Sequence, residues 1–226
     1  MIEAIVFDFD GTILDSESTA VLGWEHAYAP FGVPFPHDLW AQNIGTEDTF
    51  DPFDYLVAQT GLALNRAAIE DAAHGHHRAL LAQAEPMPGV RERIAEAKEL
   101  GLKLGIASSS SANWVNFYLP RLGLLFDFAV VRGRTDVGGK RKPDPAVYLS
   151  ACAGLGVAPT AALAVEDSRN GMLAAKGAGM FCTAVPNAQT RHMDFSEADL
   201  VVDSLTAVRL TEMIAHLKLT AISRKP

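Results

Sequence analysis

Two aspartates follow the first apolar run of the chain, at a spacing that could join them in one reaction. The segment IVFDFDGT carries Asp8 and Asp10 two residues apart, with Gly11 directly after them. In a regular strand such residues face the same side, although leaving the strand at Gly11 would re-aim Asp10. One carboxylate can form a covalent intermediate while a second carboxyl group serves as acid and then as base. The pair could instead be loop acids that cap the next segment.

Three further polar groups come after later apolar runs. Ser108 stands at the end of the run in LGIASSS, and Lys142 precedes proline in KRKPDP. Glu166 and Asp167 follow the run ALAV. Each group alone has an ordinary explanation, as a helix cap for the serines and the acidic pair, or as a solvated basic loop for the lysine. Their order along the chain is more informative, because each group follows a different predicted strand.

The elements that would position these residues are short β-branched runs that alternate with amphipathic stretches. Six runs predict buried strands, at 4–7, 102–107, 128–131, 162–165, 181–185 and 200–202. Four stretches predict helices between them, at 90–100, 113–122, 145–155 and 169–178. This alternation is typical of a parallel α/β sheet of the Rossmann-like kind. Such sheets bind ligands beyond the carboxyl ends of their strands, where the polar groups stand.

The first strand is separated from the others by a long segment with helical periodicity. Helices are predicted there at 18–31, 53–61 and 66–83, with prolines marking the loops. We therefore expect an inserted helical domain at residues 15–86. The α/β core would comprise residues 1–14 and 87–226.

The four motifs, taken in order, resemble those of the haloacid dehalogenase superfamily. That family joins an apolar strand ending in DxDGT to a strand ending in serine, a lysine before proline and a final acidic pair. The segments DSE, IGTEDTF, PGV and EDSRNG are similar to its β-phosphoglucomutase-like and phosphoglycolate-phosphatase-like branch. The resemblance spans nearly the whole chain. It implies a Rossmann-like core with a helical cap and a Mg²⁺-dependent hydrolase acting on a small phosphorylated metabolite.

The resemblance also implies a role for each catalytic residue. Asp8 would attack phosphorus and form an aspartyl-phosphate, and Asp10 would act as general acid and then base. Lys142 would hold the nucleophile ionised and stabilise the transferring oxygens, to which Ser108 would donate a hydrogen bond.

Two further sets of residues follow from the same resemblance. The phosphate group would be bound by Gly11, Ser108, Ser109 and Lys142. The metal ion, expected to be Mg²⁺, would be held by Asp8, the backbone carbonyl of Asp10, Asp167 and the neighbouring Glu166. A hard divalent cation with oxygen ligands suits this set, because it offsets the negative charge that would otherwise repel a phosphate dianion.

Substrate selection is expected to reside in the cap. The candidates are Glu17, Trp24, residues 45–47 and residues 74–78, although each could equally belong to the cap's core or surface. His74, His76 and His77 do not all share one helix face, so we do not expect a transition-metal site there.

Three rival functions remain to be compared with phosphate-ester hydrolysis. A dehalogenase of the same fold would need neither Asp10 nor Asp167. A sugar-phosphate mutase would keep all four motifs, but Ala20 replaces the histidine of those mutases, and the cap loop offers Thr46 in place of their arginine. A non-catalytic binding module would be expected to have lost motif residues.

The composition of the chain excludes some classes of binding partner. The formal net charge is −8 and the sequence pI is about 5.3, so binding to a nucleic-acid backbone or an anionic membrane surface is not expected. From the acidic residues in its first apolar run and the lack of a long apolar run, we expect neither a signal peptide nor a membrane-spanning helix. Cys152 and Cys182 are expected to be buried thiols of a cytoplasmic protein. We expect a monomer, with a dimer as the alternative.

Overall fold

The chain divides into two compact units in the computed structural model, which describes residues 1–41 and 50–223 and side chains as far as 217. One unit combines Met1–Leu14 with Glu85–Pro226, and the other is Asp15–Ala84. The sequence prediction had placed the second boundary two residues later, after position 86. The functional assignment of the units as catalytic core and cap stays a prediction.

A parallel sheet forms the centre of the first unit and confirms the predicted α/β class. Six strands of the described residues compose it: β1 (Ala4–Phe7), β2 (Lys103–Ala107), β3 (Val130–Arg132), β4 (Ala162–Glu166), β5 (Phe181–Ala184) and β6 (Leu200–Val201). Their spatial order is β3-β2-β1-β4-β5-β6, and every pairing is parallel. Strands β1 and β4 are buried along their whole length, which explains their unbroken apolar sequences.

The helices include four in the second unit and five in the first. They are α1 (Ser16–Tyr28), α2 (His37–Ala41), α3 (Pro52–Thr60), α4 (Arg66–Leu81), α5 (Val90–Glu99), α6 (Ala112–Tyr118), α7 (Ala146–Leu155), α8 (Arg169–Gly177) and α9 (Leu210–Ser223), counted over the described part of the chain. None of the helices at positions 1–41 and 50–223 is both long enough and apolar enough to span a membrane.

Helix α6 ends earlier than predicted, at Tyr118 and not at residue 122. Pro120 explains the difference, because proline lacks the N–H of a helical residue and its ring clashes with the preceding turn. Helices α2 and α9 were not predicted. Helix α9 buries Leu210, Met213 and Leu217, which follow helical spacing.

The second unit has a core of its own. Trp24 is buried in it with Val21, Tyr28, Phe35, Phe53, Leu56 and other apolar side chains. The Trp24 ring packs edge-on against Tyr28, with a ring-centroid distance of 6.3 Å, and against His74 at 6.1 Å. Trp24 therefore stabilises this unit's packing. The candidates at residues 45–47, including Thr46, lie outside the described residues.

Helices α1 and α4 approach each other closely at a glycine. A Cβ atom at Gly23 in α1 would lie 2.5 Å from the backbone oxygen of Ala73 in α4. In contrast, a Cβ atom at Gly75, also inside α4, would meet nothing nearer than the Arg78 guanidinium at 4.0 Å. The helix pair therefore leaves no room for a side chain at Gly23, whereas a methyl group fits at Gly75.

We predict that Gly23→Ala lowers the free energy of unfolding by about 1–3 kcal/mol, because the overpacking exceeds the gain in helix propensity. Gly75→Ala is the matched control and should raise stability by up to about 1 kcal/mol, since only propensity changes. Urea unfolding of both variants measures these effects. Equal stabilisation by the two substitutions would contradict the close approach at Gly23.

Candidate active site

The carboxyl ends of three neighbouring strands bring the predicted residues together. Asp8 follows β1 directly and donates its N–H to the Val165 oxygen at 2.9 Å. Ser108 follows β2, and Glu166 ends β4 with Asp167 next to it. Because β1 lies between β2 and β4, these residues share one edge of the sheet.

Lys142 enters this edge from the loop before α7, and its side chain is only 4% exposed. Its Nζ donates to Asp8 Oδ1 and to Glu166 Oε1, both at 2.5 Å, and to the Ala107 oxygen at 2.9 Å. Burial by itself would lower the pKa of the Lys142 ammonium, but the charges of Asp8 and Glu166 raise it above its ordinary value. The lysine therefore stays charged.

Three buried acids could hold a metal ion here. Asp8, Glu166 and Asp167 each offer a carboxylate oxygen, and these oxygens lie within 4.8 Å of one another. Burial raises the pKa of Asp8 to about 8 and so disfavours the ionised carboxylate that a nucleophile requires, whereas the charge of a neighbouring cation such as Lys142 favours it. Buried charges require partners, and an oxygen-only donor set suits a hard divalent cation. The residues present therefore fit a metal ion.

The Asp10 side chain is fixed by two donors and is not part of that acidic group. Ser108 Oγ donates to Asp10 Oδ2 at 3.2 Å, and the indole Nε1 of Trp114 donates to Oδ1 at 2.9 Å. Trp114 stands in the first turn of α6, whose N-cap is Ser111. These contacts hold the carboxyl group in one orientation beside Ser108.

Both oxygens of Glu166 accept hydrogen bonds inside the protein. Oε1 accepts from the Tyr148 hydroxyl at 2.6 Å as well as from Lys142, and Oε2 accepts from Ser168 Oγ at 3.3 Å. Burial, followed by the charges of Glu166 and Asp8, raises the pKa of Tyr148, so the hydroxyl remains a donor. A Cβ atom at Gly171 would lie 1.9 Å from Oε2, which explains the glycine at that position. Glu166 thus provides Lys142 with a second carboxylate partner besides Asp8.

Gly11 and Ser109, predicted to contact phosphate, also make contacts within the chain. The Gly11 N–H donates to the Leu14 oxygen at 2.7 Å. Ser109 Oγ accepts from the backbone N–H of Lys142 at 3.3 Å. Both residues lie in the loops that follow β1 and β2, and their contact with phosphate stays a prediction.

Sequence reasoning missed three side chains of this site: Trp114, Tyr148 and Asn187. Asn187 Nδ2 donates to Asp167 Oδ2 at 2.7 Å. Tyr148 lies on the buried face of α7, where an aromatic residue is ordinarily read as core. Trp114 lies within the predicted helix 113–122 and Asn187 lies two residues after the predicted strand 181–185, but no motif pointed to either of them. Proximity to the carboxyl edge of the sheet was the signal that could have found them.

The comparisons with known proteins agree with this geometry. The family model described as haloacid dehalogenase-like hydrolase matches residues 5–185. The chain therefore belongs to the haloacid dehalogenase-like hydrolase family, and it is a hydrolytic enzyme of the phosphatase type.

Three similar proteins illustrate the range of this family. YhcW of Bacillus subtilis (strain 168), whose name proposes a phosphatase activity, is 39% identical over 96% of this chain and 98% of its own length. The β-phosphoglucomutase of the same organism is 30% identical over 88% of each chain. A crystal structure of a variant of CbbY from Rhodobacter sphaeroides in complex with xylulose-1,5-bisphosphate has a TM-score of 0.73 and 30% identity, and covers 94% of this chain and 99% of that one.

The geometry predicts that Trp114→Phe lowers kcat for phosphate release by about 10- to 100-fold with little change in KM. The reason is that a hydrogen bond to the Asp10 carboxyl group is lost while the aromatic ring is kept. Asn116→Ala, an exposed change in the same helix, is the control. Steady-state kinetics measure both. Wild-type kcat in Trp114→Phe would show that the indole does not position Asp10.

Proposed function

We propose that this chain hydrolyses a small phosphate monoester, with Mg²⁺ bound, through an aspartyl-phosphate formed on Asp8. One observation carries the proposal. The Asp8 carboxylate, at the end of a central strand, lies 2.5 Å from Lys142 Nζ within a buried cluster that includes Glu166 and Asp167. A buried carboxylate held beside a cation and further acids is suited to meet an anionic phosphoryl group.

The first step transfers the phosphoryl group to the protein. An Asp8 oxygen forms a bond to phosphorus as the bond from phosphorus to the ester oxygen breaks. The departing alkoxide takes its proton from Asp10, whose carboxyl group Ser108 and Trp114 hold in place. The ammonium of Lys142 stabilises the negative charge of the transferring oxygens.

The second step releases inorganic phosphate. Water attacks phosphorus and gives a proton to Asp10, which now acts as base, and the bond between phosphorus and the Asp8 oxygen breaks. Asp8 returns to its free carboxylate form, still paired with Lys142. The two steps leave the chain unchanged.

The metal ion would be held by Asp8, Asp167 and the backbone carbonyl of Asp10, with Glu166 completing the acidic set. When bound, Mg²⁺ offsets the repulsion between these carboxylates and a phosphate dianion. Lys142 pairs with Asp8 and Glu166, and the oxygen-only donor set of the three buried acids suits an additional hard cation.

The second candidate is a sugar-phosphate mutase, because a β-phosphoglucomutase is among the similar proteins. Ala20, in α1, stands where such mutases carry a histidine, and the cap loop contains Thr46 in place of a cation. Returning a phosphoryl group to the same sugar requires holding a bisphosphate through its reorientation. Without these two residues, transfer to water is favoured. Displacement of halide from carbon is disfavoured because it needs neither Asp10 nor Asp167.

The proposal predicts that phosphate release from a panel of monoesters requires Mg²⁺ and stops in excess chelator. The panel should contain sugar phosphates, xylulose-1,5-bisphosphate, phosphoglycolate and nucleotides. β-Glucose 1-phosphate with a trace of the 1,6-bisphosphate separates the two candidates, since glucose 6-phosphate and inorganic phosphate can be followed independently. Full activity in chelator would remove the metal role, and faster formation of glucose 6-phosphate would identify a mutase.

A second prediction concerns the nucleophile. Asp8→Asn should lower kcat on the order of 10⁴-fold or more, because an amide does not form the acyl-phosphate. Asp203→Asn, a change at an exposed aspartate, is the control and should retain activity. Thermal unfolding and intact mass measurements exclude unfolding and deamidation. Substantial turnover by intact Asp8→Asn would refute covalent catalysis at this position.

A further inference from the structure

Asn187 lies in the loop after β5 and contacts two segments of the candidate metal site. Its Nδ2 donates to Asp167 Oδ2 at 2.7 Å and to the backbone oxygen of Gly11 at 3.2 Å. Asp167 is an expected metal ligand, and Gly11 directly follows Asp10, whose carbonyl is another. One amide group therefore joins the loop after β1 to the acid after β4.

The orientation of the Asn187 carboxamide is determined by its other end. Oδ1 accepts from the Gln189 N–H at 2.8 Å and from Thr190 Oγ1 at 3.3 Å. Thr190 Oγ1 in turn accepts from the Asn187 N–H at 3.0 Å, and Thr190 is fully buried. Because two donors meet Oδ1, the NH₂ group faces Asp167. The turn thus presents a donor to the acid.

Asn187 and Asp167 are also packed closely against the backbone of Gly11. Gly11 has a φ of +82°, and a Cβ atom there would lie 2.3 Å from Asp167 Oδ2 and 2.9 Å from Asn187 Nδ2. The hydrogen bond between Asn187 and Asp167 therefore passes directly beside the Gly11 backbone. Such close packing restricts the Asp167 carboxylate to one position.

The charge of the donor matters for metal binding. The Lys142 ammonium contacts Asp8 and Glu166, and the neutral side chains of Asn187 and Thr12 are among the groups that contact Asp167. A neutral donor orients a carboxylate without cancelling its charge. Donors of this kind set the affinity of a metal ligand by fixing its direction.

We propose that Asn187 is a positioning residue that orients Asp167 for binding a divalent cation. The inference rests on the proposed function, since that function supplies the cation. Its distinct content is that Mg²⁺ affinity depends on a side chain that does not itself bind the ion.

Isothermal titration calorimetry with MgCl₂ and the full chain, without substrate, tests this directly. Asn187→Ala should raise the Kd for Mg²⁺ by about 10- to 100-fold. Thr190→Val, which removes one of the two donors to Asn187 Oδ1, should raise it by a smaller factor. Ala188→Ser, an exposed change in the same turn, should leave it at the wild-type value. Thermal unfolding in chelator reports any loss of stability separately.

The outcomes separate this inference from the proposed function. A wild-type Kd in folded Asn187→Ala would overturn the inference while leaving the hydrolase proposal intact. If Asn187→Ala does not fold, Thr190→Val decides, because weaker Mg²⁺ binding supports the inference and unchanged binding overturns it. Failure of the wild-type chain to bind Mg²⁺ would overturn the metal role and this inference together.

Discussion

The buried Lys142 ammonium is the charge on which the arrangement of the active-site edge depends. It lies 2.5 Å from a carboxylate oxygen of Asp8 and 2.5 Å from one of Glu166, and its side chain is almost fully buried. Leaving either acid buried without this partner would cost about 3–5 kcal/mol. The same ion pair keeps the proposed nucleophile next to a positive charge. Stability and chemistry at this edge therefore both depend on the Lys142 ammonium.

The sheet makes this convergence possible through its register. Phe7, the last residue of β1, is level with Ile106 of β2 and with Val165 of β4. Strands β2 and β4 each extend one residue further than β1, to Ala107 and Glu166, so Ser108 and Asp167 lie one position beyond Asp8 at the same edge of the sheet. The single Lys142 side chain can therefore contact residues at the ends of all three strands, namely Asp8, Ala107 and Glu166.

Features of the structure that depend on neighbouring residues in the sequence could be predicted, whereas contacts between distant segments could not. The strands were predicted because apolar runs such as 4–7 and 162–165 are buried on both faces, and Asp8 and Glu166 could be placed because they end such runs. Trp114 and Asn187 could not be assigned, since their contacts depend on how α6 and the loop after β5 are oriented in space. Tyr148 reads as core until the position of Glu166 is known. The sequence of α9 has apolar residues at helical spacing, so this helix could have been predicted from the sequence.

The central claim is that Asp8 becomes covalently phosphorylated, and one measurement tests it most directly. Enzyme mixed with excess monoester and Mg²⁺, then quenched in acid within a single turnover, can be digested and analysed by mass spectrometry. The account predicts a peptide containing Asp8 that carries one additional phosphoryl group, which hydroxylamine removes and which Asp8→Asn lacks. Rapid phosphate release with no phosphorylated peptide at any quench time, or with the modification on a different residue, would contradict it.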